Sequence, residues 1–368
     1  MSSARAPART GAPTDSAATD ALKATWRSYA GAFIQGGRVV DPRSNNDTTS
    51  EGQSYAMLRA AWMSDRSTFD SVWQWTRDHL WDPGAHRFGW HWGATAGSLL
   101  SHDSASDADE DIALALLFAA HRWSDSSYTD WARRVLDGIW QNDVASLNGT
   151  PYLVAGNWAG SNAAGLVLNP SYFAPYAYRV FAQADSAHPW LSLVGSSYSA
   201  LNACSQAALQ APQSAGLPPN WCVLSSGGRA GSFTEKSDGD DYGYDAFRVM
   251  WRVALDLQWS GSSAARAYLT TQQFLRSQWQ QHGTLSPIYG HDGSVRANYD
   301  DVTVAGGDIG AFITDPAATG AVAAHLMSSL TTAGSSAYWA QSDNYYAQNW
   351  VWFGIALANG TLVNMATQ

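Results

Sequence analysis

Apolar residues recur three and four positions apart through most of the chain, a pattern that predicts helices from end to end. The first is expected over 22–33, where Leu22, Trp26, Tyr29 and Phe33 form one stripe behind Asp20 as a cap. Ten more are expected at about 51–63, 68–79, 108–122, 126–140, 172–184, 189–209, 245–257, 262–280, 316–330 and 343–358. Each ends in Gly, Pro or Ser/Asn/Asp turns. No sustained alternation predicts a run of strands, and no shift in composition marks a second block. Helices paired by short turns over this length predict one all-α toroid, with one further helix to be found within 286–315.

The intervals 81–106, 141–171, 211–243 and 283–315 are long and rich in Gly, Trp and Asn. Loops of that length inside a compact domain are usually functional. On a barrel of paired helices they would crowd one rim and wall a cleft.

Composition narrows the class. With 45% hydrophobic and 14% charged residues in 368, the chain is globular and able to bury a large core. A net charge of −10 argues against nucleic acid or an anionic membrane as partner. No apolar run reaches the roughly 18 residues of a membrane span. Residues 1–18, rich in Ala, Ser, Thr and Pro, read as a flexible tail without the apolar core of a signal peptide, which leaves the compartment open. Cys204 and Cys222 lie 18 apart, which is no zinc signature; a disulfide and two buried thiols both fit.

Nineteen tryptophans stand beside 16 tyrosines and 11 phenylalanines. Most such rings pack a core. Trp90, Trp92, Trp158, Trp221, Tyr242, Tyr244, Tyr345 and Tyr346, however, sit in polar or Gly-rich stretches. As a group they suit a cleft for sugar rings, whose faces are flat and weakly apolar.

Three stretches place carboxylates at expected helix starts. In Ser50-Glu51-Gly52-Gln53-Ser54-Tyr55 a capping box between Ser50 and Gln53 would set Glu51 in the first turn. Acids are common there for the dipole alone, and the dipole lowers a carboxyl's pKa. A catalytic acid at Glu51 therefore needs burial and a negative neighbour. Ser106-Asp107-Ala108-Asp109-Glu110-Asp111 could supply it, with Asp109 pointing from its helix start. A calcium loop would want Gly and Glu where Ile112 and Phe118 stand. In Tyr244-Asp245-Ala246-Phe247-Arg248, Arg248 lies three residues beyond Asp245, where it can pair with that carboxylate or with a sugar hydroxyl. Nucleophile elbows, phosphate loops, zinc-protease motifs and dinucleotide fingerprints are missing from the sequence.

Together these motifs resemble glycoside hydrolase family 8. Asn169-Pro170-Ser171-Tyr172-Phe173-Ala174-Pro175, Pro219-Asn220-Trp221-Cys222 and Tyr345-Tyr346 match it too, in order, from about residue 20 to 360. Gly37-Arg38-Val39-Val40-Asp41-Pro42 resembles the endoglucanases that accompany bacterial cellulose synthesis. The cysteines fall where some clostridial cellulases of the family have theirs.

The resemblance implies a single-domain (α/α)6 barrel over 19–368 and inverting hydrolysis of β-1,4-glucan. It implies Glu51 as proton donor, Asp245 as base, Asp109 as the carboxylate holding the distorted sugar, and Arg248 as a site arginine. Trp90, Trp158, Tyr172, Tyr244 and Tyr346 match sugar platforms. No cofactor or metal is called for; the partner is a polysaccharide, the enzyme a monomer, the location secreted or periplasmic. Asn220 departs from the Asp that relatives often carry, and 158–169 is longer than in close relatives.

Chitosan, xylan and mixed-linkage β-glucan are rival substrates for the same chemistry. A non-catalytic glycan-binding protein would be expected to lose a carboxylate, and all three are present. A terpene cyclase would use an acidic motif that Asp107-Ala108-Asp109-Glu110 misses by one residue, and leaves Glu51 and Asp245 unexplained.

Overall fold

The structure, a computed structural model, describes residues 15–367. Thirteen helices run through these residues. They are α1 (Ser16–Phe33), α2 (Ser50–Met63), α3 (Arg66–His79), α4 (Ser106–Trp123), α5 (Ser126–Asn142), α6 (Pro175–Ala184) and α7 (Trp190–Gln206). After these come α8 (Arg248–Ser260), α9 (Ser263–Thr271), α10 (Gln273–His282), α11 (Val302–Asp308), α12 (Pro316–Ser328) and α13 (Tyr345–Ala358).

Burial sorts them into two rings. Helices α2, α4, α8, α11 and α13 are buried on nearly every face, whereas α3 and α5 bury one stripe. A helix that is apolar all round belongs inside. Contacts run from α2 to α4, α6, α8, α11 and α13 in turn. Tyr55 of α2 meets Trp350 and Phe353 of α13 edge-on, and buried Arg59 donates to Asn349 at 2.9 Å, closing the inner ring. The remaining helices back this ring, α9 and α10 sharing one outer place. The fold is an (α/α)6 barrel.

Several boundaries differ from the expected ones. Helix α1 begins at Ser16, capped by Asp15 rather than Asp20, so residues 16–18 are helical; the rest of the expected tail, residues 1–14, lies outside the described residues. The helix expected over 262–280 breaks at Gln272 into α9 and α10. The further helix within 286–315 is α11, followed by a 3-10 turn at Ile309–Phe312. Its glycines hid it. A Cβ on Gly306 would sit 2.3 Å from the Trp350 carbonyl oxygen, so glycine is what lets α11 press against α13.

Short antiparallel ribbons stiffen the long loops. Thr48–Thr49, His91–Gly93 and Ser98–Ser101 form one three-stranded sheet; Leu166–Leu168, Cys222–Leu224 and Ala230–Gly231 form another. Cys204 of α7 and Cys222 are joined by a disulfide. No helix of the described residues is long and apolar enough to cross a membrane.

Candidate active site

Glu51 stands in the first turn of α2, but the cap is Thr49, whose hydroxyl accepts from Gly52 N at 3.1 Å. Ser50 and Gln53 do not form the expected capping box. Gln53 is buried and turns away, accepting from Val39 N at 2.6 Å and donating to Thr76 at 2.8 Å. The Ser50 N–H donates to the Trp90 carbonyl at 3.0 Å, so the neighbouring sheet fixes Trp90 beside this helix start.

Asp107 and Asp111 are four apart and share one face of α4; Arg248 and Arg252 are four apart and share one face of α8. The two faces meet as two rungs of buried ion pairs. Arg252 grips Asp111 with both terminal nitrogens, at 3.0 and 2.8 Å. Arg248 forms the upper rung and gathers three carboxylates. Its Nη1 donates to Glu51 at 2.6 Å and to Asp107 at 3.0 Å, while Nη2 donates to Asp245 at 2.5 Å. Tyr172 lies under the guanidinium, 5.3 Å from ring centre to Cζ.

Asp109 does not join this group. Residues two apart face different sides of a helix, so Asp109 points away from the Asp107 face. It is fully buried, accepts only a 3.4 Å bond from Phe88 N, and is pushed well above the usual carboxylate range by burial and by Asp143. The carboxylate beside Glu51 and Asp245 is Asp107, corrected from the position expected of Asp109. The spacing of Asp107–Asp111 against Arg248–Arg252 was the sequence signal that would have identified it.

Glu51 is pushed up to about 7, chiefly by burial; Arg248 opposes the shift, and Asp107 and Asp245 add to it. Its side chain keeps 22% of its surface exposed. Tyr345 donates to its other oxygen at 3.4 Å. Asp245 lies not in α8 but in the turn before it, 31% exposed, and its second oxygen accepts from the Trp221 indole N–H at 3.2 Å. The site thus offers one carboxyl able to carry a proton near neutrality and one open carboxylate.

Asp245 borders a cavity of about 420 Å³ lined also by Trp90, Trp158, Tyr172, Trp221 and Phe233, among others. Trp90 and Trp158 are among the most exposed large rings of the described residues, at 39% and 38%. Tyr244 and Tyr346 stand outside that cavity: Tyr346 donates to the Tyr244 carbonyl at 2.8 Å, and Tyr244 donates to Asp301 at 2.6 Å. Trp92 and Tyr242 belong to packing instead, Trp92 against Trp75 and Tyr242 bonded to buried Asp308. Among the described residues no group of three or more His, Cys, Asp or Glu could hold a metal ion.

The model of the glycosyl hydrolases family 8 matches residues 11–355. The chain is 33% identical over 272 residues to endoglucanase 2 of Ruminiclostridium josui, an alignment covering 70% of this chain and 54% of that protein. It is 34% identical over 271 residues to endoglucanase A of Acetivibrio thermocellus, covering 70% and 53%. The chain therefore spans about half the length of these curated relatives. Among solved structures, a β-1,3-1,4-glucanase from Paenibacillus sp. X4 superposes with TM-score 0.80 at 23% identity, covering 96% of each chain. A cold-adapted family 8 xylanase superposes at 0.77 and 18%, covering 95% of this chain and 92% of that one.

Proposed function

The chain belongs to glycosyl hydrolases family 8, and on that premise we propose that it is an inverting endo-β-1,4-glucanase with Glu51 as general acid and Asp245 as general base. The observation that carries this reading is the gathering of Glu51, Asp107 and Asp245 on Arg248 at the edge of an aromatic cleft.

In the reaction, the Glu51 carboxyl gives its proton to the glycosidic oxygen as the C1–O bond breaks. A water on the opposite face of the ring attacks C1 and loses a proton to Asp245. An inverting pair leaves about 6.5–9.5 Å between carboxyls for that water, where a retaining pair leaves about 5–5.5 Å. Asp107, held by Arg248, keeps negative charge beside Glu51. Trp90, Trp158 and Tyr172 stack sugars in the cavity, and Tyr244 and Tyr346 continue the aromatic surface outside it. The two curated relatives named endoglucanases support glucan as the substrate. The disulfide supports an oxidising compartment, hence secretion or the periplasm.

Reducing ends released from carboxymethyl cellulose, mixed-linkage glucan, xylan and chitosan by the wild type and by Glu51→Gln test the reading. Carboxymethyl cellulose is expected to be cut fastest, with turnover lost and substrate binding kept in the variant. Preference for xylan or chitosan would overturn the substrate, and full turnover in the variant would remove Glu51 from the acid role.

A further inference from the structure

Asp245 lies in the turn before α8, whose start no side chain caps. Arg248 of α8 holds the Asp245 end of that turn, donating from its backbone N and from Nε to the Asp245 carbonyl at 3.2 Å each, and a second side-chain grip comes from elsewhere. Asn220, only 3% exposed, accepts with one side-chain oxygen from Gly243 N at 3.1 Å and from Ala246 N at 3.0 Å. These two N–H groups flank Tyr244 and Asp245. Both are donors, so the accepting atom must be the amide oxygen. The amide nitrogen is spent as well, donating to the Asp238 carbonyl at 3.0 Å. The fit is close, for a Cβ on Gly243 would lie 3.3 Å from that nitrogen.

The next two residues extend the grip. Trp221 donates its indole N–H to the free oxygen of Asp245, and its own backbone N–H is tied to Gly239 at 2.8 Å. Cys222 is bonded to Cys204 of α7 and opens a strand paired with Leu166–Leu168. One residue holds the backbone around the carboxylate, the second orients the carboxylate, and the third anchors both to the barrel.

We propose that Asn220 is a positioning residue for the base, fixing the turn that aims Asp245 at the attacking water. The proposal rests on Asp245 being that base. Asn220 does not line the cavity, so its loss should act on the chemical step rather than on sugar binding. A displacement of about 1 Å at a reacting group can lower the rate by about 100-fold.

The test compares kcat and KM on carboxymethyl cellulose for the wild type, Asn220→Ala, Asn220→Asp and Asp245→Asn. In Asn220→Ala, kcat is expected to fall by about 10- to 100-fold while KM stays within about twofold. Asn220→Asp keeps an acceptor for both N–H groups but loses the donor that meets the Asp238 carbonyl, so it should recover part of the kcat lost in Asn220→Ala. If the alanine variant does not fold, Asn220→Ser, which can still accept one N–H, must show the same split at smaller amplitude. An unchanged kcat in Asn220→Ala beside a dead Asp245→Asn would overturn the positioning role alone. So would a kcat no higher in Asn220→Asp than in Asn220→Ala. Full turnover in Asp245→Asn would overturn the base, and this inference with it.

Discussion

Asp107→Asn removes one of the two negative charges beside Glu51 and leaves Arg248 in place. The bonded oxygens of Asp107 and Glu51 lie 3.0 and 2.6 Å from one Arg248 nitrogen. They are therefore within about 5.6 Å of each other, where one unit charge at an effective dielectric of about 20 is worth about 3 kcal/mol. That equals about 2 pH units, and the water reaching the partly exposed Glu51 reduces it to about 1. Burial first, then Asp107 and Asp245, hold Glu51 at about 7 against the opposing pull of Arg248. Taking Asp107 away moves it back toward an ordinary carboxyl. Because the acid works only while protonated, activity falls as pH rises through this value. The basic limb of kcat/KM, which reports the free enzyme, should lie near 7 in the wild type and about one unit lower in Asp107→Asn. A basic limb that stayed in place, or moved upward, would refute the electrostatic tuning of Glu51.

Other consequences lie in stability. Burial raises Glu51 and Asp143 to about 7 and Asp308 to about 8. Each is raised above its unfolded value, so its contribution is full below about 4 and is lost as pH rises through 7 to 8. The Tm should fall between about pH 5 and pH 8, and less steeply in Asp308→Asn; a Tm that rose over that interval would contradict these directions. Gly354→Ala would place a Cβ 2.3 Å from the Gly306 carbonyl oxygen. It should destabilise the barrel by about 2–3 kcal/mol, and denaturant unfolding with an unshifted midpoint would disprove the close α11–α13 contact. Replacing both Cys204 and Cys222 by Ala opens a loop whose ends are 18 residues apart. The loss should be about 3 kcal/mol, read as a lower Tm, and an unchanged Tm would show that the bridge does not restrain the unfolded chain.

The barrel was legible because its outer helices carry clean stripes and its inner ones carry long apolar runs. Helix α11 was legible only as an unplaced helix within 286–315, because Gly306 and Gly307, with Gly310 in the turn that follows, look like a loop until Trp350, Phe247 and Met250 are seen pressed against them. Glu51, Asp245 and Arg248 were legible as motifs, but their convergence on one guanidinium needed two helices that no local pattern brings together. Asp109 was singled out in place of Asp107 because acids two apart look equivalent in a row of letters, while on a helix they face different sides. Asn220 was noticed only as a departure from relatives. Its grip on Gly243 and Ala246 spans more than 20 residues and has no local signature.

The anomer formed first from cellohexaose, followed by proton NMR as the reaction proceeds, tests the paired roles of Glu51 and Asp245 most directly. Attack by a water opposite the leaving group turns a β-linkage into an α-product, so the α-anomer should appear first and mutarotate afterwards. Early accumulation of the β-anomer would mean that a carboxylate, not water, attacks the sugar, and would contradict the assignment of Asp245 as base.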